Sequence, residues 1–312
     1  MNNPITPYNK TVKFAKITAI ASAILAVVIA IAYLLGLRFD FEYDIGHFER
    51  GSVLFYLLAG AIIIAVALPA ALSVYSKNKA SITSLPRTNG TPVFFVGFAS
   101  VMAIITCAGE IIELRAEYAP GKLAILSAVG LIAVALGLFT IASDKFNTKP
   151  LAQIALPVAA LAIAVRILDA YFDQTLVLNS LVRHITMLAE LSVMFLFLSE
   201  SRLSFGIEST DLGNTARKAT LPFYLFTNNV CASLAIGFSA GALLHELIPG
   251  GTHAETATHP SLFRLALYLA LGALALTRAL TVNKITGECI PCPIEIDDAD
   301  STETDENLTE KE

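Results

Sequence analysis

Leu178-Asn-Ser-Leu-Val-Arg-His-Ile-Thr-Met-Leu-Ala-Glu-Leu-Ser-Val-Met-Phe195 decides how this chain is read. The stretch is apolar enough to cross a bilayer, yet it carries Arg183, His184 and Glu190. A charge at the bilayer centre costs at least about 2.5–3.5 kcal/mol on the most lenient scale. One short helix cannot hold Arg183 and Glu190 against lipid, so their face must look into a bundle or a hydrated cavity. The spacing agrees. Asn179, Arg183, Thr186 and Glu190 recur at i, i+4, i+7 and i+11, which is one helical face.

The rest of the chain supplies the bundle. Of its 312 residues, 55% are hydrophobic and only 15% charged, where soluble domains carry about 25% charge. Residues 17–37, 51–76, 88–109, 123–143 and 219–244 contain no charge. Each is long enough for a helix across a hydrocarbon core, which takes roughly 20 residues. Three further segments are less clean. Leu151–Tyr171 is interrupted by Arg166 and Asp169, Leu176–Leu198 contains the quoted stretch, and Leu262–Val282 has Arg264 and Arg278 near its ends. Long arginine stems near helix ends are expected to reach the interface.

The fold expected is an all-α integral membrane protein with eight transmembrane helices arranged as four hairpins. Its membrane domain is 1–286, with spans near 15–37, 52–75, 93–115, 122–143, 151–172, 176–198, 219–247 and 262–282. The first span reads as a retained anchor. Its apolar block exceeds the roughly 7–15 residues of a signal-peptide core, and Leu34-Leu-Gly-Leu-Arg38 is a poor cleavage site.

Lysine and arginine in the short loops set the expected orientation. Lys10, Lys13 and Lys16, then Lys77, Lys79 and Arg87, Lys145 and Lys149, Arg202, Arg217 and Lys218, and Lys284 fall on one side. The other side has mainly Arg38, Arg50 and Lys122. Both termini should therefore be cytoplasmic, in a plasma or bacterial inner membrane. Residues 287–312 read as a disordered acidic tail containing Cys289-Ile-Pro-Cys292. Residues 295–312 carry net −8 of the chain's −5, leaving the rest of the chain at +3.

Other spans carry polar stripes too. Span three has Thr106, Glu110, Glu113 and Glu117; span five has Arg166, Asp169 and Asp173; span seven has Asn228, Ser239 and Glu246 on one face, with His245 beside it. By depth, Glu110, Glu113, Arg166, Asp169, Arg183, His184 and His245 fall in the outer half, with Glu190 and Asn228 deeper. These nine are the candidate pocket residues. One reading is a pocket opening outward for a small polar solute or ion, in a transporter-like or solute-binding protein. The other is a non-catalytic sensor, scaffold or accessory subunit whose charges only hold helices together.

Catalytic motifs are weak. Gly237-Phe-Ser-Ala-Gly241 matches a nucleophile elbow but lies inside a span, where it reads as a small-residue packing site. The five histidines show no metal-ligand spacing, and Cys289 and Cys292 make only half a zinc site, so they read as a reduced exposed pair. Cys107 and Cys231 should be core residues. No nucleotide motif or basic aromatic patch is present, so neither a cofactor nor nucleic acid is expected; the bilayer is the expected partner. Broken helices, frequent at transporter sites, have candidates at Pro69, Pro157 and Asn228-Asn229.

Overall fold

The computed structural model describes residues 7–42, 46–76, 91–116, 122–142, 149–172, 180–206, 214–248 and 261–281. The tail with Cys289 and Cys292, the loop histidines His253 and His259, and Glu117, Asp173 and Asn179 lie outside the described residues. Among the described residues eight helices form in chain order: α1 (Pro7–Phe39), α2 (Val53–Ser76), α3 (Thr91–Ala116), α4 (Lys122–Ala142), α5 (Lys149–Phe172), α6 (Leu181–Gly206), α7 (Asn214–Leu247) and α8 (Leu262–Leu280). All eight are long and apolar enough to cross a membrane. In hydrocarbon every backbone polar group must be satisfied within its own segment, which the helix does.

Helices α3 to α8 close on themselves. Each packs against the next in sequence, and α8 packs back on α3, giving a six-helix ring. The α1–α2 hairpin lies outside it, with α1 packed most extensively on α7. Each hairpin predicted from the sequence, α1–α2, α3–α4, α5–α6 and α7–α8, is a packed pair. The ring interior is an apolar core from all six of its helices, including Ala103, Leu131, Ile163, Phe197, Cys231 and Leu271. A second core of Ile29, Tyr33, Leu58, Val182 and Phe238 joins the α1–α2 hairpin to the ring. Outward, large apolar side chains are exposed along several helices, among them Ile63 on α2, Phe94 and Ile104 on α3 and Leu161 on α5. A water-soluble surface would not spread so much apolar area; this one faces lipid.

Small residues set the close approaches. A Cβ on Gly241 would stand 2.8 Å from the Ala30 backbone oxygen, and one on Gly237 would meet the Ile29 side chain. The Gly-x-Ser-x-Gly run is thus where α7 touches α1.

Several expectations are corrected. Helices α2, α5 and α7 run unbroken through Pro69, Pro157 and Asn228-Asn229, and α7 also through Pro222. Neighbouring helices can re-satisfy backbone groups that a proline frees. Helix α6 reaches Gly206, so Ser201–Phe205 is helix and Leu203 is fully buried, not loop. Between α1 and α2 two short strands, β1 (Phe41–Glu42) and β2 (His47–Phe48), pair antiparallel. Gly46 takes φ +73° there, and its carbonyl accepts the Leu181 N–H at 2.9 Å, satisfying a donor in the first turn of α6.

Candidate functional site

Two buried polar layers cross the ring. The first lies nearer the end where the paired helices of each hairpin are joined, the hairpin end; the second lies nearer the opposite, terminal end.

The first layer centres on Glu110 of α3. Arg166, from α5, meets its carboxylate with both fork nitrogens, Nη1 to Oε2 and Nη2 to Oε1, each at 3.0 Å. Arg264, from α8, donates to the same Oε1 from Nε at 3.0 Å and Nη2 at 2.5 Å. Planar guanidinium forks suit a carboxylate in this way. Arg166 Nη1 also reaches the Ser127 carbonyl and hydroxyl of α4 at 3.3 and 3.4 Å. Its Nε lies 3.5 Å from the Tyr268 hydroxyl and 3.8 Å from Glu190 Oε1. Tyr268 in turn donates to Glu190 Oε1 at 2.6 Å. Asp169, half-buried one turn beyond Arg166, shares Ser127 as a partner.

Burial explains why the layer is so interconnected. Arg166 is 1% exposed and Glu190 0%, and an isolated buried ion would cost several kcal/mol. Mutual pairing offsets that cost. Arg264 sits in the first turn of α8, behind its N-cap Ser261, where a cation opposes the helix dipole; the Glu110 carboxylate offsets this.

The second layer is simpler. Arg278 Nε of α8 lies 3.2 Å from Glu200 Oε1 of α6, both almost fully buried, with Tyr224 of α7 close to both. On α6 and on α8 alike the layers are ten residues apart, Glu190 to Glu200 and Tyr268 to Arg278. At 1.5 Å per residue that is about 15 Å. Leu196 and Phe197 of α6 and Leu271 and Leu274 of α8 fill the interval with apolar core.

The nine candidates from the sequence divide. Glu110, Arg166 and Glu190 come together in the first layer, with Asp169 at its edge. Arg183 is buried but binds elsewhere, donating from Nη1 to the Tyr171 carbonyl at the end of α5 at 3.3 Å. Glu113 is exposed, although it stands only three residues from the buried Glu110. His184 is exposed too, with Nδ1 against its own helix at Ser180 O. His245 is buried at the hairpin end of α7, near Arg38 and Glu246. Asn228 is buried toward the terminal end, its Nδ2 donating to Tyr224 O at 2.8 Å.

The sequence reading missed Arg264, Tyr268, Arg278 and Glu200. Arg264 and Arg278 do not reach out to the interface but turn into the ring. The signal was present: Arg264, Tyr268, Leu271, Ala275 and Arg278 fall at i, i+4, i+7, i+11 and i+14 of α8, one face.

Chemically, the first layer offers a buried carboxyl with a phenol donor, beside two guanidinium groups. The chain matches no protein-family model, no curated protein and no solved structure in the three comparisons made.

Proposed function

We propose that this multi-pass membrane protein handles a small polar solute or ion, taken up by the first polar layer from the hairpin end. One observation carries the reading: three carboxyl groups and two guanidinium groups from four ring helices meet with Tyr268 in one layer, and Arg264 at its edge is 22% exposed. Ionisable groups inside a membrane bundle mark solute and ion paths more often than any other feature. The loop charges support an orientation with both termini cytoplasmic, in a plasma or bacterial inner membrane, which sets the hairpin end outside. A cysteine introduced at Thr256 should then react with impermeant reagents added outside, and one at Thr304 should not.

The competing reading is helix packing alone, in a sensor, scaffold or accessory subunit. It is favoured by Glu110, whose two oxygens already accept four N–H groups from Arg166 and Arg264. A melting-temperature screen against ions, amino acids and other polar solutes separates the two. On the solute reading some compound stabilises the parent, and Arg264→Gln loses that shift while staying folded on the Arg166 fork. No stabilising compound, together with a badly destabilised Arg166→Lys, would leave only packing.

A further inference from the structure

Glu190 stands apart from the other charged groups of its layer. Its side chain is wholly buried, and Oε1 takes the Tyr268 hydroxyl. Its Oε2 has no hydrogen-bond partner among the described residues. A buried carboxylate with an idle oxygen is costly as an anion. As a carboxylic acid it keeps the bond from Tyr268 at Oε1 and carries its proton at Oε2.

Charge balance points the same way. The linked groups of the layer are Arg166 and Arg264 against Glu110, Asp169 and Glu190, two positive and three negative. Glu110 is committed to both guanidinium groups, whereas Arg166 approaches Glu190 only at 3.8 Å. Helix α6 packs on α5, α7, α8 and β2, and β2 carries His47. Helix α5 presents Arg166, and α8 presents Tyr268 and, through Glu110, Arg264. On α7, Cys231 meets Ser192 of α6, while His245 and Glu246 lie at its hairpin end and Tyr224 by the second layer.

We propose that Glu190 is the proton-binding group of this layer, so that the ion handled, or the ion coupled to the solute, is a proton. The inference rests on the solute reading above and names its ion. In the step, a hydronium ion gives up one O–H bond, becoming water, as one O–H bond forms at Oε2, and the reverse transfer to water releases the proton. The Tyr268 bond persists, and the layer alternates between neutral and one negative charge.

Infrared difference spectroscopy on the full chain in phosphatidylcholine vesicles tests this by following the carbonyl stretch of a protonated carboxylic acid during a pH titration. The parent should show one such band from a buried site. Glu190→Gln should lose it, Asp169→Asn should keep it, and Tyr268→Phe should shift its frequency, because one hydrogen bond to the group is gone. The Tyr268 variant retains the carboxyl and serves if Glu190→Gln does not fold. The proposal is overturned if the parent shows no band, if Glu190→Gln keeps it, if Asp169→Asn removes it, or if Tyr268→Phe leaves it unshifted. The solute screen reads melting temperature and this titration reads a carboxyl proton, so each can fail while the other stands.

Discussion

The two polar layers solve one physical problem differently. Near the terminal end, Glu200 and Arg278 form an ion pair between α6 and α8, with Tyr224 of α7 beside it. Near the hairpin end, Glu110, Arg166, Arg264, Tyr268 and Glu190 form a branched network across α3, α5, α6 and α8. A lone buried pair gains little over apolar residues of similar volume. A branched network cannot be exchanged so simply, because removing its central pair, Glu110 and Arg166, takes the carboxylate from Arg264 and the cation from Glu190. The difference separates a clamp between two helices from a network that ties four together.

The largest effect should follow from the hub of the network. Arg166→Leu leaves Glu190 facing only Tyr268 and halves the donors on Glu110; a loss of about 3–5 kcal/mol is expected. Unfolding of the detergent-solubilised protein by heat or denaturant would read it, and a loss below 1 kcal/mol, of the size seen at exposed pairs, would show that the layer is hydrated rather than dry.

The second layer supplies the contrast. Arg278→Met alone strands Glu200 and should cost about 3 kcal/mol, whereas Arg278→Met with Glu200→Met should return to within about 1 kcal/mol of the parent or exceed it. The matching pair Glu110→Met with Arg166→Met should stay destabilised, since Arg264 loses its carboxylate and Glu190 keeps only Tyr268. Equal recovery in both double variants would erase the distinction between the layers.

Tyr268→Phe removes one donor to Glu190 and should cost about 0.5–1.5 kcal/mol with Glu190 carrying its proton, against about 1.5–3 kcal/mol with it ionised. The bond from the phenol to the neutral acid is the weaker of the two. Gly241→Ala tests the packing outside both layers. Its methyl would meet the Ala30 backbone oxygen, and overpacking of this kind costs about 1–3 kcal/mol. Last, His184→Ala should change stability by no more than about 0.5 kcal/mol, because the ring is exposed and bonded only to its own helix turn. A large loss there would show that His184 belongs to a layer after all.

The sequence by itself determined the eight spans, their pairing as hairpins, and the fact that Glu110, Arg166 and Glu190 must face inward. Those conclusions need only segment length, the cost of charge in hydrocarbon, and helical spacing, all local properties of the chain. The partners were beyond it. Spacing says which way a side chain leaves its own helix, and nothing of which helix stands opposite. Only the closed ring brought α8 against α3 and set Arg264 on Glu110 and Tyr268 on Glu190, residues 154 and 78 positions apart. Arg278 shows the limit most plainly. A guanidinium near a helix end has two outlets, headgroup water or a buried carboxylate, and their free energies are close enough that the presence of Glu200 on the neighbouring helix decides between them.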